Sequence, residues 1–201
     1  MNREWKDMLL LDDDEIYTEA KRRIEECGEK LSLTALDLYC PRLKALLDSF
    51  VNLKKLVYLN LGGVHIAKIP DSLGNCPLQY LELSGNFSTV PETLGNCAKL
   101  KVLNLNSDKP ISLPKSLGGL SALKELYLVS PEIHSIPDSI GNCENLKLII
   151  IESEKLTALP ESFCELKNME ELRFDTFGLK ALPSAFGSLA SLKALMSFQA
   201  H

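Results

Sequence analysis

Past residue 32 the hydrophobic positions of this chain fall into one phrase that recurs. Copies begin at Leu33, Leu56, Leu78, Leu100, Leu123, Leu146 and Met169, and a shortened eighth begins at Leu192. The starts lie 23, 22, 22, 23, 23, 23 and 23 residues apart. Each copy runs apolar-x-x-apolar-x-apolar, then a polar stretch, an apolar-Pro pair and two apolar residues three apart. A fixed period of this length predicts a solenoid, in which every coil covers the apolar face of its neighbour. Within one copy, the alternation Leu126-Tyr127-Leu128 predicts a short strand with its leucines inward. Ile133 and Ile136 turn inward again on the returning side. Pro137, with its fixed φ and missing donor, suits the start of a short helix or bend. Ile140 and Cys143 give that bend one buried face. Gly141 is expected to take a positive φ where the chain turns back toward the next strand. Stacked units make a parallel sheet on the concave side and short helices or irregular turns on the convex side.

The two ends break the pattern. Residues 1–32 are expected to form an N-terminal helical cap, and residues 33–201 the array of seven repeats plus a truncated eighth. Over 13–27, Ile16, Ala20, Ile24 and Cys27 recur at helical spacing, and Gly28 can terminate the helix. Asp12 to Glu15 place negative charge at its start, where the helix dipole favours it. Such a helix covers the exposed face of a first repeat. At the other end, Leu192 to Phe198 begin an eighth strand with no polar cap after it, so a sheet edge is expected to lie open.

The apolar-Pro pairs are Ile69-Pro70, Val90-Pro91, Leu113-Pro114, Ile136-Pro137, Leu159-Pro160 and Leu182-Pro183. With the leucine phrase, they resemble the leucine-rich repeat superfamily. The resemblance is closest to its 23-residue Leu-Pro subtype, known from intracellular Ras-group and bacterial proteins. It extends from residue 33 to about residue 198. It implies an α/β right-handed solenoid and a scaffold that binds another protein on its concave side. That family carries an Asn three residues after the strand's last leucine. Here the slot holds Pro41, Val64, Asn86, Asp108, Pro131, Glu154 and Phe177. Only Asn86 and Asp108 suit an Asn ladder; elsewhere the strand-to-loop corner is expected to satisfy its backbone through water or local turns, and that edge to be looser.

Composition narrows the function. Apolar residues make up 45% and charged residues 24%, ordinary for a globular chain, and the net charge of −5 argues against a nucleic-acid partner. No polybasic patch, lipidation motif, signal-like start or long apolar run points to a membrane, so the chain is read as cytoplasmic. Cys76, Cys97 and Cys143 occupy a slot that holds Leu53, Leu120, Leu166 and Leu189 elsewhere, which marks them as small buried hydrophobes. A Cys76–Cys97 disulfide is geometrically allowed but disfavoured in a reducing cytosol. His65 and His134 fall in loops about three coils, roughly 15 Å, apart, too far to share a metal or a proton. The sequon Asn86-Phe87-Ser88 matters only in a secreted protein. Neither a phosphate-binding loop nor a nucleophile elbow occurs. The expectation is a protein without enzymatic activity, cofactor or metal.

The remaining candidates lie on the concave surface, at strand positions between and just before the inward leucines. Val102, Tyr127, Val129, Leu148 and Ile150 are expected to form a contiguous apolar group across repeats four to six, with Tyr58 and Tyr80 as aromatic anchors. Glu82, Glu125, Glu152, Glu171 and Asp175 supply a negative rim, and Asn104 and Arg173 complete the face. An apolar centre inside a charged border has the composition of a protein interface. The implied partner is a protein with an apolar protrusion and a basic rim. Two alternatives stand beside this scaffold. One is the recognition domain of a larger protein, such as a bacterial effector ubiquitin ligase. The other is a structural protein that self-associates through the uncapped edge. Oligomeric state stays open at this point.

Overall fold

The structure, a computed structural model, describes residues 34–37, 53–176 and 178–197, together with residues 15, 18 and 22. Among the described residues eight strands form one sheet: β1 (Ala35–Asp37), β2 (Tyr58–Ile66), β3 (Tyr80–Gly85), β4 (Val102–Ser107), β5 (Glu125–Val129), β6 (Leu148–Glu152), β7 (Glu171–Asp175) and β8 (Ala194–Ser197). They lie in chain order, and every neighbouring pair is parallel. Glu15, Thr18 and Arg22 are helical and exposed. The apolar face of the expected cap helix, with Cys27 and Cys40, lies outside the described residues.

Register explains why this succession is stable. Each pairing sets leucine against leucine: Leu59, Leu81, Leu103, Leu126, Ile149 and Leu172 form one column. A second column runs Leu61, Leu83, Leu105, Leu128, Ile151 and Phe174, and all twelve residues are buried. A slip of one residue would send both columns to solvent, so the alternation fixes the pairing. The interruption lies in β2, where the register shifts between Leu61 and Ile66. Gly63 there has φ 77°, the positive value that favours glycine. His65 thus belongs to a bulged strand and not to a loop. In β8 the leucine slot opens: Leu195 is 49% exposed, whereas Leu172 is fully buried.

Opposite the sheet, a layer of short 3₁₀ turns closes the core, at Asp71–Asn75, Glu92–Asn96, Lys115–Gly119, Asp138–Asn142, Glu161–Glu165 and Phe186–Ser188. Proline starts each of the first five. Pro70, Pro91, Pro114, Pro137 and Pro160 have φ between −73° and −67° with extended ψ. Their carbonyls accept from the amide three residues on, as in Ile140 N to Pro137 O at 3.0 Å. A residue with φ already set and no amide to satisfy is suited to that position. Leu73, Leu94, Leu117, Ile140 and Phe163 then drop into the core. Cys76, Cys97, Cys143 and Cys164 are buried. Burial pushes the first three thiols up to about 11.

The glycines of these turns act through space and not through φ. A Cβ on Gly141 would lie 2.6 Å from the Ser162 carbonyl oxygen of the next coil. Gly74, Gly95 and Gly118 face Thr93, Ser116 and Ser139 in the same way. The expected positive φ at Gly141 is therefore corrected: among the described residues only Gly63 has one. Carboxylates also clamp coil to coil. Glu92 accepts from the amides of Lys115 at 3.0 Å and Ser116 at 2.8 Å. Glu161 does the same for the Ser184 amide.

The corner after each strand is held by hydroxyls. Ser107 Oγ donates to Phe87 O and Ser130 Oγ to Lys109 O, each at 2.7 Å. Ser153 Oγ accepts from the Ile133 amide at 2.9 Å. These serines and Thr176 are buried, one residue before the slot where an Asn was sought. Asn86, Asp108, Pro131 and Glu154 in that slot are exposed. Backbone groups of Phe87, Lys109 and Ile133 are thus satisfied by side chains of the following coil, and Ser107 and Ser153 also close local turns by accepting from the Lys109 and Lys155 amides.

A candidate protein-binding face

Because strand side chains alternate, the residues between the buried leucines all emerge on the open face of the sheet. Pairing sets the first column as Tyr58, Tyr80, Val102, Glu125, Leu148 and Glu171. The second runs Asn60, Glu82, Asn104, Tyr127, Ile150 and Arg173. The third contains Asn106, Val129, Glu152 and Asp175. Among these, Asn106 and Glu152 are exposed and the others half-buried.

Two apolar areas result. In the first, the Tyr58 and Tyr80 rings stack with centroids 4.4 Å apart and planes 12° from parallel. Val102 continues that row, then meets Glu125. The second area centres on the Tyr127–Ile150 pair, flanked by Leu148 and Val129. Asn104 and Glu125 lie between the two, so Val102 approaches Tyr127 only on the diagonal.

Carboxylates two residues from a tyrosine share its face and hold its ring. Tyr80 OH donates to Glu82 Oε2 at 2.5 Å, and Tyr127 OH to Glu125 Oε2 at 2.8 Å. Burial, then the neighbouring carboxylate, pushes the Tyr127 phenol up to about 12 and raises Tyr80 as well. Both tyrosines therefore stay protonated donors with oriented rings. Arg173 Nε donates to Glu171 on the same strand. That pair places a cation beside the second apolar area.

Charge divides the two borders of the face. At the carboxyl ends of β4–β7 a groove of about 260 Å³ runs across four coils. Its lining includes Asp108, Glu152, Glu154 and Asp175, with Val129 and Pro131, and contains no cation. At the amino ends, the residues just before β4, β5 and β6 are Lys101, Lys124 and Lys147, all exposed. Backbone bonds stack them in one column, Lys124 N to Lys101 O at 2.8 Å and Lys147 N to Lys124 O at 2.9 Å. Glu170 and Lys193 continue it, and Glu170 bridges Lys147 and Lys193 at 2.6 Å each. Sequence reasoning passed over this lysine column, although a Lys following the leading Leu at the repeat period is a visible signal.

Among the described residues no group of three or more His, Cys, Asp or Glu is arranged to hold a metal ion. His134 is exposed, with Nε2 3.7 Å from Glu132 Oε2. The described residues include no helix long and apolar enough to cross a membrane.

No protein-family model matches the chain, and no curated protein does. Solved structures do match. The plant peptide hormone receptor RGFR1, in complex with RGF2, is similar at 22% identity and TM-score 0.67, over 83% of this chain and 29% of that one. The Arabidopsis receptor kinase HAESA, in complex with the peptide hormone IDA and the co-receptor SERK1, aligns at 25% identity and TM-score 0.66. That match covers 87% of this chain and 35% of HAESA. The leucine-rich-repeat protein LIC12759 of Leptospira interrogans aligns at 21% identity and TM-score 0.52, over 87% of this chain and 57% of its own. The chain thus spans less than two thirds of the length of each. In-register parallel strands, a turn layer opposite and these likenesses agree: the chain folds as a leucine-rich-repeat solenoid.

Proposed function

We propose that this chain is a non-enzymatic recognition module that holds a partner protein on the concave face of its sheet. The observation that carries the reading is the second apolar area. Tyr127, Ile150, Leu148 and Val129 stand half-buried on a sheet face that no other element covers among the described residues. Strand propensity accounts for β-branched and aromatic residues there; what favours binding is that Glu125 holds the Tyr127 ring against Ile150 and so presents an ordered aromatic anchor. Tyr58 and Tyr80 add a second anchor. The surrounding carboxylates favour a partner with an apolar protrusion and a basic rim. Neighbours such as RGFR1 and HAESA were solved with bound partners, which supports a binding role. The buried, reduced thiols of Cys97, Cys143 and Cys164 fit a reducing compartment, the cytoplasm.

The test is Ile150→Asp together with Tyr127→Asp, each assayed by co-purification from the native cell and by circular dichroism. The expected outcome is an unchanged spectrum with loss of the co-purifying protein. Retention of that protein by both folded variants would overturn the assignment. One observation favours a second reading: Leu195 and Met196 are 49% and 38% exposed on β8. Self-association through that edge predicts a dimer in solution, and a monomeric mass at working concentration removes it.

A further inference from the structure

The two borders of the open face carry opposite charge, and this constrains the shape and chemistry of what lies between them. We infer that the bound segment is an amphipathic helix laid across the strands, with one acidic flank and one basic flank. The acidic flank lies toward Lys101 and Lys124, and the basic flank toward the groove lined by Asp108, Glu152, Glu154 and Asp175. The inference rests on the concave-face reading above, adds the occupant's geometry, and confines its basic charge to the side of the acidic groove.

Three observations carry it. The first is pitch. Anchors occur about once per coil along the array, roughly 4.8 Å apart, as set by strand spacing. A helix returns to the same face about every 5.4 Å. An extended segment repeats its face about every 6.7 Å and falls out of step within two coils. The second is width. Strands of five residues such as β5 and β6 span about 16 Å between borders, which accommodates a helix of about 10–12 Å with its flanking side chains. The third is charge complementarity. Lys101 is paired only with the neutral Gln79, at 2.8 Å, so its charge is uncompensated; Lys147 is instead held by Glu170. At the groove, Lys109 and Lys155 follow Asp108 and Glu154 in sequence but do not line it. A uniformly basic helix would set like charges against Lys101 and Lys124, and a uniformly acidic one would do so against the groove.

The experiment uses the full chain and three synthetic helices of about 18 residues, long enough to cross five coils at about 1.5 Å per residue. All share one leucine face. Their flanks are Glu and Lys, Lys on both sides, or Glu on both sides. At low ionic strength the Glu/Lys helix is expected to bind several-fold to about tenfold more tightly than either other, as suits two rim ion pairs. The double variant Lys101→Glu, Lys124→Glu, which leaves the Lys147–Glu170 pair intact, is expected to shift the preference to the Lys/Lys helix. Equal binding of all three helices, an unchanged preference in the double variant, or no binding by any helix overturns the inference. Ile150→Asp separates the two levels. If it abolishes binding of a native partner while the helices show no preference, the concave face stands and the two-flanked helix falls.

Discussion

Replacing Gly95 by alanine isolates the close stacking of the turn layer. A Cβ at Gly95 would lie 2.4 Å from the Ser116 carbonyl oxygen and 2.5 Å from Ser116 Cβ. Ordinary heavy-atom contact is roughly 3.5 Å, so the two coils must part by about 1 Å. Neither partner can rotate aside, because both contacts belong to the main chain or the first side-chain carbon. Overpacking of this kind costs about 1–3 kcal/mol. Against it, alanine restricts the unfolded chain and returns about 0.4–1 kcal/mol. The net expectation is a loss of about 1–2 kcal/mol. Gly187 supplies the control. It occupies the corresponding place in the last turn, with nothing within 4 Å of its Cβ position and no positive φ. There the same substitution is expected to stabilise by about 0.4–1 kcal/mol. Urea unfolding followed by far-ultraviolet circular dichroism measures both, with the slope checked for constancy. If the two variants shift stability in the same direction, space is not what the turn glycines provide.

Three further outcomes follow from the contacts described. Ser153→Ala removes the acceptor of the buried Ile133 amide and is expected to cost about 1–3 kcal/mol, with faster hydrogen exchange at Ile133 as its direct signature. Glu92, Glu161 and Glu170 all have depressed carboxyl pKa values. Amide and hydroxyl donors act on the first two, and the Lys147 and Lys193 ammonium groups on Glu170, which falls to about 2. Their contribution is complete above the ordinary carboxylate range and is lost as pH falls through the folded values. The unfolding midpoint should therefore drop on acidification below about pH 4, and less steeply in Glu170→Gln. Cys76, Cys97 and Cys143, with thiols near 11, should resist iodoacetamide at pH 8 and react once urea unfolds the chain, as mass spectrometry of labelled peptides reports.

Much of this was legible in the order of residues, because a two-residue alternation decides which side of a strand is wet. It puts Leu126 and Leu128 in the core and Tyr127 and Ile150 on the open face, as found. The same rule would have shown that Tyr80 and Glu82, or Glu125 and Tyr127, share a face and can bond. Other features were hidden. Gly141 announces a need for glycine, but the chain alone does not distinguish a left-handed φ from a neighbouring carbonyl at 2.6 Å. The serine ladder was missed since attention fell one residue later, on the family's Asn slot. Cys164 stands in the slot that Gly141 fills one coil earlier. The split of the apolar face by Glu125 needed strand pairing to become visible.

The strict succession of coils has a kinetic consequence. Side-chain hydrogen bonds between coils join residues 20 to 26 apart in sequence, from Ser107 with Phe87 to Cys143 with Leu117. Every docking step therefore closes a loop of nearly constant length, and the entropic toll of joining one more coil does not grow along the array. A pair of coils that meets first, wherever it lies, serves as the nucleus from which order spreads toward both termini. The barrier to folding thus lies in forming the first matched pair, after which each added coil meets the same toll.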